Sequence, residues 1–235
     1  MAGNYILQWN CNGLRGHRVE LELIISKYAP SVVCLHETML TPGIENYMTF
    51  KGYKTYYKSN INGHGGVGIL VKNTIPQSPV NINTNLQARA VCVTIKRKAY
   101  NICSIYTPPR SNPPLLDFQN IINQFSKPYV LCGDFNAHSP FWTSSQSNDH
   151  GKIIEDLLDE YGLVPLNTTV HTFNKPPFAP SLIDLTLVHP SIYLDFNNSV
   201  IENQYHSDHH PILISVNEDE EPDTEKNAQM ELQKS

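Results

Sequence analysis

The sequence is short of charge and of long apolar runs, and each shortage excludes something. Charged residues make up 17% of the 235, too few for a highly charged coiled coil, while 40% apolar residues are too many for a wholly disordered chain. No apolar run approaches the ~18 residues of a membrane span, so no membrane partner is expected. The opening MAGNYILQWNCNG lacks a basic region followed by an apolar stretch, so no secretory signal is read there. There is no CxxC pair, and the five cysteines (Cys11, Cys34, Cys92, Cys103 and Cys132) are odd in number and set among apolar neighbours. Reduced, mostly buried thiols of an intracellular protein are expected, rather than a disulfide framework or a zinc site. The glycine-rich GHGGVGIL lacks the GK[ST] of a phosphate-binding P-loop, and its glycines read as tight turns.

What is present suits one large layered domain. The net charge of −5 misleads: residues 217–235 hold seven acids against two bases, so the whole excess lies there and residues 1–216 are neutral. The domain is therefore read as 1–216, and 217–235 as an acidic disordered linker. Helical spacing recurs at Leu21, Ile24, Ile25, Tyr28, at Phe118, Ile121, Ile122, Phe125, and at Ile154, Leu157, Leu158, Tyr161. Pro30, Pro128 and Gly162 stand just beyond these segments. Eight strands are predicted at 5–10, 31–36, 66–71, 89–95, 100–106, 129–133, 182–188 and 211–216, several apolar throughout, as in strands covered on both faces. The Pro/Asn-rich stretches 73–86, 107–114 and 174–181 read as loops. Helices interspersed among more numerous strands suggest an α/β protein with large sheets.

Polar residues interrupt the apolar strands at their ends. Asn10 and Asn12 follow YILQW, Glu37 follows VVCLH, and Tyr106 closes NICSIY. Asp134 and Asn136 follow YVLCG, Asp184 sits inside LIDLTLV, and Ser207, Asp208 and His209 precede PILISV. A buried carboxylate is costly unless paired or metal-bound, so carboxylates at strand ends, which meet at one rim of a sheet, point to a site. Any single one could be a turn residue. Together they supply what metal-assisted phosphate-ester hydrolysis requires: oxygen ligands for Mg²⁺, a carboxylate to orient water, a carboxylate–histidine pair, and Asn or Tyr donors for phosphate oxygens. The cluster His206, His209 and His210 could suggest zinc, but the abundance of oxygen ligands favours a hard metal. His17, His64, His138, His171, His189 and His206 read as surface or loop residues.

QWNCNGLRG, LHET, GGVGILV, SIYTPP, GDFNAH, SLIDLTLV and HSDHHPI, in this order and spacing, resemble the endonuclease/exonuclease/phosphatase superfamily over residues 4–216. GDFNAHSPFW, the HTF before SLIDLTLV, and SDHHPI are most similar to the endonuclease domains of non-LTR (LINE-type) retrotransposons. The resemblance implies a four-layer α/β sandwich, two mixed β-sheets packed face to face with helices outside. It implies Glu37 as main metal ligand, with Asn10 and Asp208 near the metal, and Mg²⁺ as cofactor with Mn²⁺ as substitute. Asp134 corresponds to the residue that orients the nucleophilic water, Asn136 to its companion, Tyr106 to a phosphate donor, and His209 with Asp184 to the essential pair. Thr172 and Ser207 correspond to substrate contacts. The implied reaction nicks double-stranded DNA and leaves a 3′-hydroxyl that primes a reverse transcriptase domain of the same polyprotein, in the nucleus. Asn12 replaces an aspartate of the abasic-site repair enzymes, which favours the LINE-type reading over a repair endonuclease, while intact Glu37, Asp134, Asn136, Asp184 and His209 argue against an inactive binding module. His36, His150 and Thr143 also depart from the usual pattern, and His36 has no evident role. Asn12, Arg15, Ser181 and the loop 174–181 are the expected DNA contacts. That loop reads equally as a protrusion into a groove or as a surface turn. The lysines Lys51, Lys54 and Lys58, alternating with tyrosines, read equally as backbone contacts or as an edge strand.

Overall fold

The computed structural model describes residues 4–126 and 128–217. The expected acidic linker lies outside the described residues, apart from Asn217. The strands in chain order are β1 (Tyr5–Asn10), β2 (Val32–His36), β3 (Tyr53–Lys58), β4 (Val67–Lys72), β5 (Gln77–Val80), β6 (Gln87–Ile95), β7 (Lys98–Tyr106), β8 (Tyr129–Asp134), β9 (Val164–Pro165), β10 (Asp184–Val188), β11 (Phe196–Val200) and β12 (Ile212–Val216). The helices are α1 (Arg18–Tyr28), α2 (Pro42–Glu45), α3 (Leu115–Asn123) and α4 (Asp149–Tyr161).

The strands form two six-stranded mixed sheets, ordered β11-β12-β1-β2-β4-β3 and β5-β6-β7-β8-β10-β9. Alternation decides the layers, because successive side chains leave a strand on opposite faces. Ile6, Val32, Cys34 and Ile214 of the first sheet meet Val91, Ile102, Val130 and Cys132 of the second in a shared core. The opposite face of the first sheet (Leu7, Trp9, Val33, Leu35) packs on Leu21 and Ile24 of α1. The opposite face of the second (Ala88, Cys103, Leu131, Leu185) packs on Phe118 and Ile121 of α3 and Ile154 and Leu157 of α4. The result is the expected four-layer α/β sandwich, helices outside.

The three helices with periodic spacing all form. Asn148 caps α4 by accepting a bond from the Gly151 amide at 2.7 Å, and Gly162 ends that helix in the left-handed region. The stretch 73–86 was expected as loop but contains β5, a short edge strand that tolerates Pro79. All five cysteines are free thiols, and only Cys92 is not fully buried.

Strand direction makes the site. β1 and β2 run parallel, as do β7 and β8, so both pairs end on the same side. β10 and β12 run antiparallel to β8 and β1, so on that side they begin. Asn10, Tyr106 and Asp134 therefore finish their strands where Asp184 starts its own, with Asp184 opposite Asp134 in register.

Candidate active site

Below the rim the core between the sheets turns polar. Gln8 Nε2 donates to the carbonyls of Gly133 and Leu185 at 3.1 and 3.3 Å, and Thr186 Oγ1 donates to Gln8 Oε1 at 2.8 Å. Ser104 Oγ donates to the Leu35 carbonyl at 3.0 Å. His36 acquires a role here: its Nε2 donates to the Cys132 carbonyl at 3.0 Å across the sheets. Burial lowers the His36 pKa to about 4, so the ring is neutral. These ties fix one sheet against the other, directly beneath the residues that converge above.

Asn10 bridges the two sheets at the rim. Its Nδ2 donates to Glu37 Oε1 at 2.9 Å and to Asp134 Oδ2 at 2.8 Å, while its Oδ1 accepts from the Asn12 amide. Asp134 Oδ1 accepts from the Asn136 amide at 3.2 Å, and Asn136 Nδ2 donates to the Thr107 carbonyl at 3.0 Å. Glu37 and Asn136 have φ of +47° and +49°, a left-handed backbone that a glutamate adopts only under restraint. The restraint is visible. The Gly13 amide donates to the Glu37 carbonyl, and the amides of Thr38 and Met39 donate to the carbonyls of Gly66 and Gly65. Gly65 itself has φ +68°, and a Cβ there would lie 2.9 Å from the Tyr106 ring. The glycines of GHGGVG thus support Glu37 and leave room for Tyr106.

Asp184 and His209 form the buried pair, with Asp184 Oδ2 2.7 Å from His209 Nδ1. Burial alone would lower the His209 pKa, but the Asp184 charge and hydrogen bond outweigh it and raise the ring to about 9. Burial likewise works against the Asp184 charge, and His209 holds that carboxyl below its usual range. Asp134 goes the other way: burial, then the Asp184 charge, raise it well above an ordinary carboxylate. Burial and the nearby Glu37 and Asp134 charges push the Tyr106 phenol far up, so it remains a donor. The Trp9 indole donates to the His209 carbonyl at 3.2 Å, and the Phe173 ring stands edge-on to the imidazole at 5.1 Å.

The remaining expected residues divide. Asn12 and Ser181 line the same cleft of about 590 Å³ as Glu37, Tyr106, Asp134, Asn136 and His209. Arg15 is exposed but outside that lining. Thr172 and Ser207, expected as DNA contacts, are buried instead. The Thr172 hydroxyl accepts from the Asp184 and Ile183 amides, and Ser207 Oγ donates to the Asn10 carbonyl at 2.8 Å. They position the residues that converge. Asp208 lines the cleft, yet its Oδ2 is taken by Lys175 at 2.9 Å. Among the described residues, Glu37, Asp134 and His209 form a group of ionisable side chains whose ligand atoms all lie within 4.8 Å of one another. The carboxylate oxygens of Glu37 and Asp134 are ligands suited to a hard divalent cation, while the Asn10 amide nitrogen donates to both and Asp184 favours the protonated form of His209. Gln8, Phe173 and Lys175 escaped the sequence reading. A glutamine inside YILQWN was the one available signal.

Two sheets with this rim are the architecture of the endonuclease/exonuclease/phosphatase superfamily. The endonuclease domain of TRAS1, a telomere-specific non-LTR retrotransposon, superposes with a TM-score of 0.78 at 19% identity, over 92% of this chain and all of that one. An AP endonuclease from Archaeoglobus fulgidus does so at 0.71 and 17%, over 92% and all, respectively. A family profile described as endonuclease-reverse transcriptase matches residues 100–213. Drosophila melanogaster proteins named for an RNA-directed DNA polymerase align too: that of mobile element jockey is 26% identical over 87% of this chain and 23% of its own length. The probable polymerase of transposon X-element is 25% identical over 90% and 24%. The chain thus spans about a quarter of the length of the curated relatives it matches. It shares the fold of the TRAS1 endonuclease domain, and its sequence is similar to the endonuclease-reverse transcriptase family over residues 100–213 and to RNA-directed DNA polymerases of transposons.

Proposed function

We propose that this domain is a metal-dependent endonuclease that nicks duplex DNA by hydrolysis, leaving a 3′-hydroxyl and a 5′-phosphate. The observation that carries the reading is the convergence of Glu37, Tyr106, Asp134 and the Asp184–His209 pair on one open cleft from both sheets. Glu37, with Asn10 beside it, would hold the cation, Mg²⁺ or Mn²⁺ by the hardness of the oxygens, which leaves Asp134 free for the attacking water. When bound, that ion supplies positive charge for the phosphate oxygens and the departing 3′ oxygen. Asp134, with its raised proton affinity, accepts a proton from water as the water oxygen bonds to phosphorus. The P–O3′ bond breaks, and the 3′ oxygen takes a proton from solvent water to become the hydroxyl. Tyr106 and protonated His209 donate to phosphate oxygens that become more negative on the way, and Asp184 keeps the imidazole charged and oriented.

The relatives' names, RNA-directed DNA polymerases, support a further step: the 3′-hydroxyl would prime a reverse transcriptase joined to this domain in a longer polyprotein. We propose in addition that it acts in the nucleus, with 217–235 as the start of the linker.

Nicking of supercoiled plasmid tests the reading, with Mg²⁺, with EDTA, and with His209→Ala. Open circles that need metal and disappear in the variant are expected. Intact plasmid with every metal tried, from folded protein, overturns it. An abasic duplex in the same assay, cut far better than an intact one, would replace it with a repair activity.

A further inference from the structure

The charge of the cleft is unbalanced. Glu37, Asp134 and Asp208 line it, and its substrate under the proposed function is itself an anion. Arg15, the basic residue expected to touch DNA, is not in the lining. Among the residues that do line it, Lys175 is the single lysine or arginine. It stands at the root of the loop 174–181, and that root is built onto the catalytic segment. Phe173 bridges both Ser181 and His209, and the Asn174 amide donates to the Asp208 carbonyl at 2.9 Å. Gln204 Nε2 donates to the carbonyls of Asn174 and Asp208, both at 2.9 Å. The backbone beneath Lys175 is therefore fixed relative to His209. Its ammonium reaches Asp208 Oδ2 at 2.9 Å yet keeps 52% of its side chain exposed, against 16% for Asp208. A half-exposed lysine held by one carboxylate retains two N–H donors for another anion.

We infer that Lys175 is a substrate-binding residue, whose ammonium, steadied by Asp208, contacts a DNA phosphate at the edge of the cleft. This rests on the proposed function. A point charge on a phosphate adds affinity without sequence preference, and its contribution is read from salt dependence. Each phosphate neutralised on duplex DNA contributes about −0.9 to the slope of log K against log salt.

The test compares wild type, Lys175→Met, Lys175→Arg and Lys27→Met. Lys27 lies in the last turn of α1, away from the cleft lining, and its loss matches the change in net charge. Nicking kinetics on an intact duplex and binding in EDTA are measured from low to moderate salt. Lys175→Met is expected to raise KM about threefold to tenfold at low salt, with kcat changed less than twofold, and to flatten the binding slope by about 0.9. Lys175→Arg should restore the slope, and Lys27→Met should leave KM and slope unchanged. If Lys175→Met nicks and binds as the wild type does, or loses kcat alone, the inference is overturned and Lys175 is a structural latch. A folded wild type that neither nicks nor binds overturns the proposed function as well.

Discussion

Asp184 opens strand β10 of one sheet and His209 lies in the segment that leads into β12 of the other, yet their side chains meet at 2.7 Å in a site that water scarcely reaches. The pair therefore links the halves of the sandwich and sets the charge of the cleft.

This linkage predicts a titration. In metal-free protein the His209 ring should titrate at about 9, above an ordinary histidine near 6.5, because Asp184 raises it. The folded state then binds this proton more tightly than the unfolded state. The stabilisation is complete below about pH 6.5 and is lost as pH rises through about 9. Asp184→Asn removes the largest influence that opposes burial and leaves only the weaker Asp134 and Asp208 charges, so the ring should titrate well below 9. Histidine NMR of both proteins in EDTA checks this, and an Asp184→Asn ring that still titrates near 9 would contradict it.

Asn10 predicts a different loss. Its Nδ2 satisfies Glu37 and Asp134 together, so Asn10→Ala strips one partner from each carboxylate. The cost should be about 1–3 kcal/mol in metal-free stability, the usual range for a buried group left unpaired. Nicking should fall at least tenfold. Denaturant unfolding in EDTA and the plasmid assay measure both, and an unchanged midpoint would show that the bridge is not needed.

His36 is a liability in acid. Burial depresses its pKa to about 4, so the folded state resists the proton that the unfolded chain accepts near 6.5. Stability from this residue is present above about 6.5 and is lost as pH falls through about 4. His36→Gln keeps an N–H for the Cys132 carbonyl and removes the titration. Melting temperature followed from pH 7 to 4 should fall less steeply in the variant, with nicking retained at neutral pH.

The legible parts of the fold were those that physics writes into short stretches. The central strands are covered on both faces and appear as continuous apolar runs, and helices α1, α3 and α4 carry their apolar stripes at helical spacing. The four strands absent from the eight predicted, β3, β5, β9 and β11, all lie at sheet edges, where few apolar residues are required; QSPV and FNNSV look like loops, and the stretch around β3 read equally as an edge strand or as backbone contacts. The strand-end residues were legible because a carboxylate in an apolar run is conspicuous. Whether a hydroxyl faces the cleft or the core was not. Thr172 and Ser207 were assigned to substrate by resemblance, and only their tertiary partners reveal a supporting place. Lys175 lay within the loop 174–181 expected to touch DNA, but nothing singled it out, since its partner Asp208 lies far from it in sequence.

The course of β12 has a mechanical consequence. The strand begins three residues after His209, runs away from the catalytic rim between β1 and β11, and is antiparallel to both. Any pull on the chain beyond Val216 is applied at the pole farthest from the cleft. It loads two hydrogen-bond ladders in shear at once rather than peeling them rung by rung. His209 sits at the unloaded end of that strand, so whatever is tethered beyond it can tug or swing while the imidazole keeps its place.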